Sequence, residues 1–457
     1  MLDANIRKIL MEVRDQAASE GIQATLALHH EKSHLMRIGN SSISLNTSED
    51  LTRLDIEVTD GRKQASQTFL GMIEGTEIIR NVLDKAVEKA KAAAPKTYDP
   101  IPDEVEESVY EEIQYDEALA NLDPGVKADA YRDIFSKLGD NFNYSGSWSS
   151  GSVEVCMITT ANRNEVYHRG TDQLFTVVLK HPGKKWELIN TQTGWRVSDF
   201  SVEKTLKELG RLIPVYEKNP GFKVEPGEYT VIFGSDAVSE IANLSVFTGF
   251  MGRGWEEKQS WTSQNKPGDE VLGKNITLSD DPFNPQTFMF GFDMSGRKRK
   301  HFPLIKNGVL MNLMYDSSTA ARYGREPTGH DTRSMGIVMN TGDGFECPLE
   351  AVRDMGRVLY IPALHYMNLP SRSKGIFTGS SRFNALLIED GKMVSPIFST
   401  RITDSFQNVL GNISVISSVS ESVNGSNTYG RRTPVAISVP SYIVAEGVKI
   451  TDSADSF

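Results

Sequence analysis

The chain of 457 residues contains only two cysteines, Cys156 and Cys347, too few for a disulfide framework or a cysteine-built metal knuckle. Eight histidines are present, and none falls between His181 and His301, so the long central stretch cannot offer an imidazole to a metal. A phosphate loop, a dinucleotide fingerprint and a glycine-flanked serine elbow are missing, and Gly249, Gly252 and Gly254 are wrongly spaced for any of them. No apolar run is long enough to span a bilayer, and no cleavable apolar stretch opens the chain. The expectation is a cytoplasmic protein without a membrane partner. An excess of basic charge is also lacking: 49 Lys and Arg against 60 Asp and Glu leave a net charge of −11. That balance argues against direct nucleic-acid binding, which needs a basic face to displace counterions. The one basic run, Arg297 to Lys300, reads as a solvated turn between strands.

The composition that is present is ordinary for a globular protein, 39% hydrophobic and 24% charged, on a chain too long for one core. The class is α+β, in three parts. Residues 1–94 read as helix, β-meander, helix. Ile6, Ile9, Leu10, Val13 and Ala17 share a helical face, extended runs begin at Ile22, and Asp60-Gly61 marks a hairpin. A second helix, from about Thr76 to Ala94, stops before Pro95. Residues 95–220 read as a proline-spaced, acidic linker to about 115, then a middle α+β domain. Its helix spans about Lys127 to Leu138, its short strands lie between Ser152 and Gln192, and a last helical stretch, Val202 to Leu212, closes at Pro214. Residues 221–457 read as a β-rich domain around one helix.

That helix is the centre of the pattern. Tyr229 to Phe233 is short, β-branched and aromatic, a buried strand. Ser235 or Asp236 can cap the next element. Ser235 to Thr248 is apolar nearly all round, which marks a buried helix that Gly249 can end.

The motifs carrying chemistry are weak. His30-Glu31-Lys-Ser-His34 matches a short zinc-peptidase pattern literally, but that pattern works only on a helix. Here it lies between extended runs and reads as a hairpin tip, with no third ligand placed by spacing. Ser201 with Lys204, and Ser371 with Lys374, match a serine–lysine pattern short enough to arise by chance; Ser201 reads as a helix cap. Asp280-Asp281-Pro282 reads as a turn rather than a cation site.

Several blocks, in order from about 225 to 440, resemble the TldD/PmbA family, long labelled modulators of DNA gyrase and understood as metallopeptidase subunits. They are Pro226 to Tyr229, Ile276 to Pro282, Leu304 to Leu310, Tyr315-Asp316 with Thr319-Ala320, Pro327 to Gly329, Thr378-Gly379, Ala385 to Lys392, Asn408 to Ile413 and Pro434 to Val439. The N-terminal helix–meander–helix with Asp60-Gly61-Arg62 is similar to the family's first domain. In the family's catalytic branch, the C-terminal-domain helix carries His-Glu-x-x-x-His, and a late cysteine is the third zinc ligand. The matching helix here has no histidine, with Asn243 the most polar residue of its second half. In Asn427 to Gly430, Tyr429 stands in the cysteine's place.

The resemblance therefore implies the PmbA, TldE-like branch, with no catalytic or metal-binding residue of its own. Zinc would belong to a TldD-like catalytic subunit in a heterodimer, or the chain would form a homodimer; an extended peptide would be the substrate. Loop position adds Arg297, His301, His330 and Tyr429 as candidate peptide-cleft residues. The rival expectations are a self-sufficient hydrolase with an unorthodox site, and a protein regulator linked to DNA gyrase.

Overall fold

The computed structural model describes residues 4–288, 291–330, 335–426 and 431–457, and the protein is a mixed α+β structure. It opens with α1 (Ala4–Ser19), which buries Ile9, Leu10, Val13 and Ala17. Next comes an antiparallel meander: β1 (Gln23–Gly39), β2 (Ser42–Asp60) and β3 (Lys63–Leu70). Asn40 and Ser41 make the first turn at φ 51° and 60°, the left-handed pair that a two-residue hairpin of this twist requires. Then α2 (Thr76–Ala92) lays Ile79, Val82, Leu83, Ala86 and Ala90, three and four residues apart, against the core.

The expected linker holds a short strand, β4 (Val109–Glu111). After α3 (Glu117–Ala120) and α4 (Pro124–Leu138) come β5 (Asn143–Thr159), β6 (Glu165–Lys180) and β7 (Glu187–Gly194), then α5 (Val202–Lys218). Because β1 pairs with β5 along most of its length, residues 1–94 and 95–220 share one seven-stranded sheet. β4 and β7 occupy different lengths of the outer edge of β6.

Several short runs expected as separate strands are continuous. The His30–His34 stretch is not a hairpin tip: it lies within β1, where His30 faces Thr52 on one side and Glu154 on the other. On a strand, residues four apart lie about 13 Å from each other, too far for His30 and His34 to share a metal. They bond Asp50 and Ser48 instead, each at 2.8 Å. Helix α5 also runs through Pro214, where it was expected to close. One N–H is lost there, while Leu209, Leu212 and Tyr216 are buried to either side.

The remaining chain builds two sheets around one helix. β8 (Gly227–Gly234) lies inside a nine-stranded sheet, parallel to Arg357–Ile361 and antiparallel to Tyr442–Ser453. The other sheet has six strands and ends in Ala436–Pro440 and the edge strand Ser420–Asn424. α6 (Ser235–Gly249) is packed between them, with Ala237, Val238, Ile241, Ala242 and Val246 fully enclosed. This is the central helix expected from its apolar pattern, buried except along a stripe of Glu240, Asn243, Leu244 and Phe247, where Phe247 is 44% exposed.

One side chain ties the C-terminal unit to the seven-stranded sheet. Arg432 is 1% exposed, and its Nε and Nη2 donate to the two carboxylate oxygens of Asp172 at 2.6 and 2.9 Å. Its Nη1 donates to Ser149, its backbone N–H to Glu31 at 2.5 Å, and its carbonyl accepts from His29 Nε2 at 2.7 Å. Removing one partner of a buried pair strands the other charge and costs about 3–5 kcal/mol. Arg432→Ala is therefore expected to lower the melting temperature sharply. Arg432→Lys should recover only part of it, because an ammonium lacks the planar fork. Thermal denaturation of the three proteins checks this; an unshifted Arg432→Ala would contradict it.

Candidate functional site

Between the seven-stranded sheet and the C-terminal unit lies a cleft of about 680 Å³. One wall is β7 and α5, contributing Asn190, Gln192, Lys204 and Glu208; the other is the first turn of α6 and the edge strand Ser420–Asn424. Among the described residues β7 pairs as a strand only with β6, and Ser420–Asn424 only with Ala436–Pro440; on the other edge of β7, Ile189 exchanges hydrogen bonds with the Asn384 side chain at 2.9 and 2.7 Å. The two bordering strands meet at one end, where the Asn424 N–H donates to Thr193 Oγ1 at 3.3 Å.

The start of α6 departs from the expected capping. Gly234 is the N-cap, and no side chain caps the helix. A Cβ at Gly234 would lie 2.9 Å from Pro362 Cα, and the Ala237 N–H reaches the Pro362 carbonyl at 3.0 Å. The close approach of backbone to backbone requires glycine here. Ser235 is thereby freed to donate to Glu421 Oε2, on the same wall of the cleft, at 2.6 Å.

Asp236 comes next, half-buried at the cleft floor. Burial, and then the like charges of Glu421, Glu240 and Glu208, push its carboxyl up to about 6. Burial also raises Glu208, against the pull of Lys204, and raises Glu240 one turn along the helix. Glu208 accepts from the Asn190 amide and Glu421 from Ser235. Among the described residues no cation forms an ion pair with any of these four carboxylates.

The zinc chemistry implied by the family resemblance does not fit these residues. Zinc sites draw on imidazole and thiolate, with carboxylate as a supplement, whereas α6 offers a hydroxyl and carboxylates. Among the described residues no three or more His, Cys, Asp or Glu are grouped to hold a metal ion.

The residues singled out from sequence lie elsewhere. Arg297 fastens the segment before β4 to the C-terminal unit, bonding Glu106 at 3.2 Å and the Pro102 carbonyl at 3.4 Å. His301 is exposed and bonds Asp281 at 3.2 Å. His330 is fully buried, stacked on Phe302 with ring centroids 4.4 Å apart, and its Nδ1 lies 2.5 Å from Asp280. None of the three lines the cleft, and Tyr429 lies outside the described residues.

Asp280, expected in a turn, instead ends a strand as a buried acceptor for Arg299, His330 and the Gly336 N–H. Burial pushes its carboxyl up, but Arg299 and His330 prevail and hold it below the usual range. Asp281 does make the turn, accepting from the Phe283 N–H at 3.0 Å. Ser201 caps α5 by accepting from the Lys204 N–H. Sequence reading missed the carboxylates that do line the cleft; the only trace was Asp236, in the guise of a helix cap.

The raised Asp236 value has a definite sign. Its charged form costs stability above about pH 6 in the folded protein, and this cost vanishes as pH falls toward its ordinary range near 3.9. Asp236→Asn is therefore expected to raise the melting temperature by about 2 °C at pH 8. The gain should shrink at pH 5, which scanning calorimetry at both values checks. An equal shift at both pH values would contradict it.

Residues 226–452 match the family described as PmbA/TldA metallopeptidase C-terminal domain. A "Metalloprotease" of Methanothermobacter thermautotrophicus is 24% identical over 168 residues, 34% of this chain and 35% of that protein, so the chain spans about a third of the length of this curated relative. The fold is shared with TldE from Thermococcus kodakarensis, at a TM-score of 0.81 and 17% identity, covering 96% of this chain and 99% of that one. It is also shared with a candidate modulator of a DNA gyrase from Thermotoga maritima, at a TM-score of 0.79 and 15% identity, covering 98% and 100%. With the C-terminal half matched by the family's own domain and the whole chain by its fold, the protein belongs to the TldD/PmbA family.

Proposed function

We propose that this chain is the non-catalytic, TldE-like member of a TldD/PmbA-type peptidase, shaping a peptide cleft for a zinc-bearing partner subunit. The observation that carries this reading is the first turn of α6. It faces the cleft with Ser235 and Asp236, and with no histidine anywhere along the helix. Hydrolysis at zinc would then fall to a second protein. The cleft that remains is suited to holding a chain rather than cleaving it. Its two strand edges, unpaired by any further strand among the described residues, can take an extended peptide through main-chain hydrogen bonds, a mode that reads backbone and tolerates many sequences. The metallopeptidase description of the family and of the curated relative supports peptide as the substrate class. The Ser201 hydroxyl is engaged as a helix cap, which speaks against Ser201 with Lys204 as a serine–lysine hydrolase pair.

Peptidase assays on an unfolded casein-type substrate test the proposal, using this chain alone, a TldD-type subunit alone, and the two mixed. Turnover by the mixture well above either protein, with co-elution of the two, is expected. Chelator-resistant turnover by this chain alone would overturn the reading.

A further inference from the structure

A second cavity, of about 520 Å³, lies at the opposite end of α6 from the cleft. Phe247, Met251, Met314 and Tyr98 give it walls of aromatic rings and thioethers, and His330 lines it as well. Two contacts lock the His330 ring. Asp280 accepts from Arg299 and the Gly336 N–H and stays ionised, so the Nδ1 that faces it at 2.5 Å carries the proton. Phe302 covers one face of the ring. What remains of the imidazole to line the cavity is its other face and its Nε2 edge. Burial, against the pull of Asp280, lowers the imidazole below its ordinary range, and a neutral ring with its proton on Nδ1 leaves Nε2 a bare acceptor. The side chain is fully buried, and Nε2 has no partner among the described residues.

An unpaired buried acceptor is rare in a native protein, and one that lines a cavity of ligand size is a recognition group. The charged groups at the rim are already engaged. Arg253 and Arg322 face Glu257 at 3.1 and 3.6 Å. Asp316 accepts from the Thr319 N–H as the cap of the short helix Ser317–Tyr323. An ion entering the cavity would find no free counter-charge there, and the Nε2 lone pair repels an anion. The chemistry that fits is a neutral flat ring bearing one donor. We propose that this cavity binds an aromatic group with a neutral hydrogen-bond donor, a phenol or an indole, which gives its O–H or N–H to His330 Nε2. The ring would lie among Phe247, Tyr98 and the two methionines, where aromatic edges and thioether sulfur attract it. The proposal stands apart from the peptide-cleft reading, because the two cavities share no lining residue among the described ones.

The probes are p-cresol and 3-methylindole, each set against its capped analogue, p-methylanisole and 1,3-dimethylindole. Binding to the full chain, labelled with nitrogen-15 in its histidines, is read by NMR titration. At least one donor probe should bind about tenfold more tightly than its capped analogue, and which one does separates phenol from indole. The Nε2 resonance of His330 should move in the same titration, which a histidine with a merely structural role would not show. Ser318→Trp, a substitution of an exposed rim residue, should block the cavity and abolish binding.

Equal binding of donor and capped probes, binding of none of them, or a fixed His330 resonance would overturn the proposal and leave His330 a core residue. Binding that survives Ser318→Trp would place the probes elsewhere and overturn it too. The comparison of capped and uncapped probes is made on the unaltered protein, so it does not depend on a variant that folds.

Discussion

The architecture depends on the burial of α6. A helix this apolar has no stable place at a surface, and here two sheets pack on it, one of nine strands and one of six, leaving only the stripe of Glu240, Asn243, Leu244 and Phe247 exposed or half-buried. From Ala237 on, most of the helix is held in the core, while its first turn, Ser235 and Asp236, lines the cleft. The approach of Gly234 to Pro362 fixes the turn tightly enough to forbid a side-chain cap. Ser235 and Asp236 consequently serve the cleft and not the helix. The position of the site and the stability of the domain are thus outcomes of one packing constraint.

The cleft has a second wall only because the seven-stranded sheet is docked beside the C-terminal unit. Arg432 is central to that docking, holding Asp172, Glu31, His29 and Ser149 at once. It lies just beyond the strand Ser420–Asn424, so the tie between the two units and the open strand edge belong to neighbouring stretches of chain.

This arrangement explains which features the sequence disclosed. The central helix and the Asp60-Gly61 turn obey local rules of periodicity and turn chemistry, and they were legible. β1 was misread because its buried face in the middle is polar. His29, Glu31 and Ser33 point inward, two of them to meet Arg432, and a polar stretch flanked by apolar runs looks like a loop. β6 reads from sequence as two strands, Glu165 to His168 and Leu174 to Lys180, for the same reason, with Arg169, Asp172 and Gln173 buried in its middle. Polar burial of this kind is intelligible only once the distant partner is known. Likewise Glu208, Asp236 and Glu421 come from three distant stretches with no shared spacing. Arg297, His301 and His330 looked functional because they are basic residues near loops, yet each is engaged with a neighbouring acid within the fold.

The central claim is that the α6 end of the cleft is a carboxylate site and not a zinc site. Its most direct test is the zinc content of the lone chain, measured by inductively coupled plasma mass spectrometry after incubation with excess zinc and removal of the free ion. The expected result is far less than one zinc per chain, unchanged in Asp236→Asn. One zinc per chain, lost in Asp236→Asn, would contradict the claim.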